Sequence, residues 1–276
     1  MNNSFGYKTK IWFEEPESDN PFAARKSYCH GYDVYGDILS KATWFEYLYL
    51  LFKGEKPSPR QAKLLETLAL ALTNLGPREP SVRAAMNGGV GGATHAASLM
   101  SALSVGAGQC GGGHEVYILM SLWETCGLDL GLWLQKLHDP VEDKREDIWK
   151  PMEHAPGFDP NGVSCPTPVK QTLSALARYD ENGCLSFLEE TREQLEASTG
   201  IPLSMTGVAA AAFHALELDA HSATMLFLIL RLPGAAAHAI EQRHLGWKHF
   251  PFYGAHIELT EDAAHFELPN AEELGL

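Results

Sequence analysis

Residues 109–115 read Gln-Cys-Gly-Gly-Gly-His-Glu, placing a thiol and an imidazole four positions apart around three glycines. Gly111, Gly112 and Gly113 let the backbone come close to a ligand, and the apolar helix expected over 116–122 offers free N–H groups to an anion or oxyanion. A thiol in that position is expected to ionise more readily than usual if His114 faces it, making Cys110 a candidate nucleophile or acid–base group. The same glycines and the same small cysteine also serve plain helix packing. Asp159 is either a replacement acid or base, or a turn former ahead of Pro160. Arg231 sits in an otherwise apolar helix, where an unpaired charge is costly, so it needs either a substrate carboxylate or an internal Glu.

Other ionisable residues read more simply. His238, Arg243, His244 and His249 fall late in the chain, where packing and a solvated helix face account for them. His95, after Gly91 and Gly92, reads as a core histidine, with a cleft position as the alternative. The 12 histidines include no H-E-x-x-H and no paired Cys/His spacing, so no metal is expected. No phosphate-loop or dinucleotide motif is present, and no resident cofactor is expected.

The elements that must position these groups are helices. Thr43 with Glu46, and Ser58 with Gln61 around Pro59, are capping boxes. The first opens a helix over 44–52 stopped by Gly54, and the second carries Leu64, Leu68, Leu72 and Leu75 at helical spacing. Thr167-Pro168 opens a third, with Val169, Leu173 and Leu176 on one face. Ser186 with Glu189 opens a fourth, ending at Gly200. Short extended pieces are expected only at 11–13 and 32–35, and no alternating βαβ pattern occurs. Residues 225–240 read as a buried helix, too short for the ~20 apolar residues of a membrane span. An irregular, Pro- and Gly-rich link is expected over 138–168, and an acidic tail or arm over 257–276.

Composition narrows the partners. A chain of 276 residues with 45% hydrophobic content supports one large domain, or one with a small lobe. Lys+Arg 21 against Asp+Glu 35 gives a net charge of −14, which argues against nucleic acid and anionic membranes as partners. Cysteines 29, 110, 126, 165 and 184 are scattered and odd in number, as in reduced thiols of a cytoplasmic protein.

Several segments resemble the citrate synthase and citryl-CoA lyase family in order and spacing, over about residues 28–255. Gly31-Tyr32-Asp33, then Gly36-Asp37-Ile38, the run from Thr43 to Leu51 and Gly54-Glu55-Lys56-Pro57 look like its entry motif. Residues 108–115 resemble its "GPLHGGANE" turn, and Pro156-Gly157-Phe158 its "PGFGH" loop. Arg231 to Gly234, Ala237-His238 and Glu241-Gln242 resemble its "RxxGxxAHxxEQ" helix. The resemblance implies an all-α, two-domain fold: a large helical domain over 1–150 and 221–276 and a small one over 151–220. It also implies a homodimer, and a cleft that takes an acyl-CoA or related carboxylate whose C–C bond is made or broken.

The side chains of that chemistry are largely replaced. The histidine of "GPLHGG" falls on Cys110, the one after "PGFG" is missing near Asp159, and the catalytic aspartate of "NVDG" falls on Thr206. The "DPR" arginine is gone near Thr167-Pro168-Val169, and the histidine of "DHG" falls on Asn74 or Leu75. The expectation is a divergent enzyme with Cys110, His114 and Asp159 as catalytic candidates. Arg231, Gly111, Gly112, Gly113, Thr206 and His238 are the candidate substrate-binding residues. A cysteine-dependent thioester hydrolase or acyl transferase, and a non-catalytic homologue that binds ligand or a partner subunit, are the alternatives.

Overall fold

A computed structural model describes residues 8–139 and 152–250. Part of the expected link, over 140–151, and the acidic tail lie outside the described residues. A small antiparallel sheet opens the chain, in the order β1 (Phe13–Pro16), β2 (Ala24–Cys29), β3 (Tyr32–Asp33). Among the described residues, the regular elements after it are helices. The helices are α1 (Leu39–Lys41), α2 (Trp44–Lys53), α3 (Pro59–Leu72), α4 (Pro80–Val90), α5 (His95–Gly106) and α6 (Gly113–Cys126). They continue with α7 (Leu130–Lys136), α8 (Thr167–Ala177), α9 (Cys184–Thr199), α10 (Met205–Ala215) and α11 (Ala220–Leu245).

Local chemistry sets most of the helix ends. Both expected capping boxes are formed, and Gly54 closes α2 in the left-handed conformation at φ 87°. In α8, Val169, Leu173 and Leu176 face inward. Helix α9 starts two residues before Ser186, because the Asp180 carboxylate reaches forward to cap the N–H groups of Leu185 and Ser186. Strand β2 is absent from the sequence reading, and β1 begins at Phe13, where the expected extended piece ends.

The largest apolar cluster joins α2, α3 and α6 through α11. Leu65, Leu68, Leu72, Met120, Leu176, Leu185, Phe213 and Phe227 are among its fully enclosed members. A smaller cluster joins Val82, Ala85 and Met86 of α4 to Ala102 of α5 and to Ala235 and Ala239 of α11. Close approach there depends on small residues: a Cβ on Gly89 would lie 2.2 Å from the Ala239 carbonyl oxygen.

Helix α11 is longer than the apolar stretch seen in the sequence. By length and composition it could cross a membrane, yet one face packs on α4, α5 and α6 and buries Arg231. Its other face is not buried, since Met225, Ile229 and Ile240 are exposed. Pro233 interrupts its hydrogen-bond ladder. The N–H of the next residue, Gly234, donates instead to Thr73 O at the end of α3, at 2.8 Å.

His214 stacks on Trp123, with ring centroids 5.4 Å apart. Burial pulls its pKa below the ordinary 6.5, and the nearby Glu124 carboxylate opposes the shift. The unfolded chain therefore takes up this proton first, so the stability His214 contributes above pH 6.5 is lost as pH falls through its lower folded value. His214→Phe, which keeps a ring against Trp123, is expected to flatten the fall in urea midpoint below that pH. An unchanged pH profile would contradict this.

Candidate functional site

The turn between α5 and α6 is folded back on itself. Gly111 has φ 68°, and a Cβ on Gly112 would lie 2.3 Å from Gly108 O and 2.8 Å from Gly106 O. Gly113 abuts Thr224 and Leu228 of α11. The glycines thus serve the turn's own closure and helix packing, the plainer of their two readings.

One residue passed over in the sequence organises the surroundings. Glu115, 1% exposed in the first turn of α6, accepts the Gly111 N–H on Oε2 and the Gly157 N–H on Oε1, each at 2.7 Å. Each charge-assisted bond of this kind is worth about 1.5–3 kcal/mol, and a carboxylate at a helix N-terminus also meets the favourable end of the dipole. Glu115 therefore ties the glycine turn to the Pro156-Gly157-Phe158 loop. The available signal was the one used for Arg231: a charge at the start of an apolar helix needs partners.

The loop is stitched in turn to the segment before α10. Gly157 O accepts from Ser204 N at 2.9 Å, Asp159 N donates to Pro202 O at 2.8 Å, and Phe158 bridges Leu203. Gly157, at φ 87°, passes so close to Gly207 that a Cβ there would lie 2.6 Å from Gly157 O. Thr206, 3% exposed, shares a 2.6 Å hydrogen bond with the Ser204 hydroxyl.

Arg231 closes the assembly from α11. Its guanidinium is 5% exposed, bonds the Glu79 carboxylate, and donates to Ser81 Oγ and Gly111 O at 3.2 Å each. It also lies over the Phe227 ring, 4.6 Å from the centroid. Burial lowers its pKa and Glu79 pulls it back up. Of the two partners its position left open, an internal glutamate is the one observed.

The structure brings Gly111, Arg231, Glu115, Gly157 and, through Ser204, Thr206 into one continuous network. Cys110 sits beside it and is the exposed one of the five free cysteines. Its thiol is pushed up, first by partial burial of the sulfur and then by the charges of Glu115 and Glu153. This corrects the expectation of a readily ionised thiol: burial first, and then two carboxylates, disfavour the thiolate.

The remaining candidates are held in other ways. His114 lies parallel to the Tyr117 ring at 6.4 Å, and Tyr117 in turn meets His221 at 5.3 Å. Asp159 accepts Asn161 N at 2.9 Å, a turn-forming bond ahead of the next helix. His238 pairs with Asn74 at 3.0 Å, at the point where α3 meets the Pro233 break. His95 is exposed at the start of α5 rather than in the core. Among the described residues no cluster of His, Cys, Asp or Glu is arranged to hold a metal ion.

The glycine turn, the Pro-Gly-Phe loop and the arginine helix thus meet at one junction of a mostly helical chain. No family model and no curated protein sequence matches the chain. The citryl-CoA lyase of Hydrogenobacter thermophilus superposes with a TM-score of 0.71 at 21% identity, over 98% of this chain and 99% of that one. The ATP citrate lyase of Methanothrix soehngenii, solved with citrate and coenzyme A, gives 0.67 at 17% identity, over 99% of this chain and 44% of that one. A citrate synthase from Thermoplasma acidophilum, solved with carboxymethyl coenzyme A and oxaloacetate, gives 0.56 at 14% identity, over 84% and 60%. The chain thus has the mostly helical fold seen in these citryl-CoA lyase and citrate synthase structures, and it matches the Hydrogenobacter lyase over nearly the full length of both.

Proposed function

We propose that the chain binds a coenzyme A thioester of a citrate-type acid at this junction and makes or breaks the acid's carbon–carbon bond. The acid–base groups it would use differ from those of its structural neighbours. The observation that carries the reading is the pair of hydrogen bonds accepted by Glu115, which joins the glycine turn to the Pro-Gly-Phe loop and, through it, to the Thr206 segment. These are the three segments in which the resemblance locates the catalytic groups. The neighbours' complexes with citrate, coenzyme A and oxaloacetate support the same ligand class.

A second reading, ligand binding without catalysis, is favoured by two facts. Arg231 already has an internal carboxylate, and the Cys110 thiol is pushed up rather than down. The raised thiol also disfavours a cysteine nucleophile.

A thermal-shift screen tests the ligand class with coenzyme A, acetyl-CoA, citryl-CoA, citrate and oxaloacetate. A site-specific ligand at 100 times its dissociation constant adds ~2.7 kcal/mol, so a selective rise with the thioesters is expected. No rise with any of them would sink the proposal. Release of coenzyme A or acetyl-CoA from citryl-CoA then separates the catalytic reading from the binding one.

We further propose a homodimer, supported by the bare outer faces of α5 and α11, where Met100, Val105, Met225 and Ile229 are exposed. Sedimentation equilibrium at micromolar concentration is expected to give twice the chain mass. The double change Met225→Glu and Ile229→Glu is expected to give a monomer. A monomeric wild type would contradict this.

A further inference from the structure

Arg231 is anchored on more sides than its ion pair requires. Its Nη1 donates to Gly111 O and its Nη2 to Ser81 Oγ, at 3.2 Å each, and the guanidinium lies over the Phe227 ring. None of these contacts depends on Glu79. The bond to Glu79 is made through Nη2, while Nε is buried without a hydrogen-bond partner among the described residues. A guanidinium fork suited to grip a carboxylate twice is therefore used once by Glu79.

Glu79 is held more loosely. Its side chain is 20% exposed against 5% for Arg231. It stands at the N-cap position of α4 yet makes no side-chain bond into that helix, and beyond Arg231 it meets Ser81 Oγ at 3.4 Å. The connection that carries it, residues 73–79, is exposed at Asn74, Pro77 and Arg78 and turns at Gly76, with φ 78°. The space left beside the guanidinium, lined by Ser81, Gly106 and Arg231 among others, is about 10 Å³, room for about one water. A second carboxylate cannot be added there. It has to take the place of Glu79.

We propose that Glu79 is a specificity-determining residue of this site: in the free protein it holds the place at Arg231 that a carboxylate of the ligand takes on binding. The inference rests on the proposed function, and it states which protein group the acid meets and which group must leave first. The bond from Arg231 to Gly111 O sets that place beside the glycine turn. Exchanging one carboxylate for another keeps the buried cation paired, so the exchange itself costs little. It also gains little, and a free carboxylate competes poorly with a tethered one. An acid that engages the turn through its thioester as well displaces Glu79. Stability lost on removing either partner reports the resting pair, and ligand affinity reports the exchange.

Isothermal titration calorimetry with citrate tests the exchange. Glu79→Gln is expected to bind citrate about tenfold or more tighter than the wild type, the scale of one charge-assisted hydrogen bond. In the double variant Glu79→Gln, Arg231→Met the gain should vanish, which separates exchange at Arg231 from the general effect of removing one negative charge. No gain in Glu79→Gln, or a gain that survives the loss of Arg231, overturns the proposal. Should Glu79→Gln not fold in buffer, citrate is expected to restore its circular dichroism, beyond any effect on the double variant, and no such recovery overturns the proposal. Neither measurement uses coenzyme A. A gain in citrate affinity beside a failed thioester screen removes the thioester assignment alone, and a positive screen without the gain removes the role of Glu79 alone.

Discussion

Arg231→Met is expected to destabilise the fold by about 3–5 kcal/mol, the range for removing one partner of a buried ion pair. The guanidinium is 5% exposed and its partner Glu79 is 20% exposed, so solvent relieves little of the charge left behind. The variant also loses the donors to Ser81 Oγ and Gly111 O, and so one anchor of the glycine turn. Methionine keeps the packing against Phe227, which isolates the electrostatic loss. Urea denaturation of Arg231→Met, Glu79→Gln and the double variant is the check. The double variant should lose much less than the sum, because removing both partners leaves no orphaned charge. A small stability loss with weakened carboxylate binding would instead make Arg231 a substrate ligand.

Glu115→Ala is expected to lose about 3 kcal/mol or more, from two charge-assisted hydrogen bonds at about 1.5–3 kcal/mol each. It strands the buried N–H of Gly157 and the half-buried N–H of Gly111 without their acceptor. The effect should be local as well as large. Amide exchange at Gly111 and Gly157 should speed up far more than exchange in the middle of α8. A loss below about 1 kcal/mol, the scale of an ordinary neutral hydrogen bond, would mean that Glu115 does not hold the junction.

What the sequence disclosed follows from the range of each interaction. The capping boxes at Thr43 and Ser58 close within three residues, so the residues that form them lie side by side in the chain. Val169, Leu173 and Leu176 likewise declare a buried face by spacing alone. The start of α9 was displaced because its cap, Asp180, sits six residues before Ser186 and outside the usual pattern. Strand β2, Ala-Arg-Lys-Ser-Tyr-Cys, carries little apolar alternation and owes its conformation to pairing with its neighbours.

The site divides in the same way. Its three segments were legible as motifs, but their joining was not. Glu115 meets Gly157 across 42 residues, and Arg231 meets Glu79 across 152. The single chain gave no signal for which carboxylate the arginine would find. His154, whose side chain is 7% exposed and lies 3.6 Å from Glu115, had no local pattern to mark it.

The central claim is that the glycine turn, the Pro-Gly-Phe loop and the Thr206 segment form one site for a coenzyme A thioester. Hydrogen exchange of the full chain, with and without citryl-CoA, tests it most directly. Slowed exchange concentrated in peptides covering 108–115, 154–160 and 202–208 is the predicted result. Protection confined to other parts of the chain, or none at saturating ligand, would contradict it.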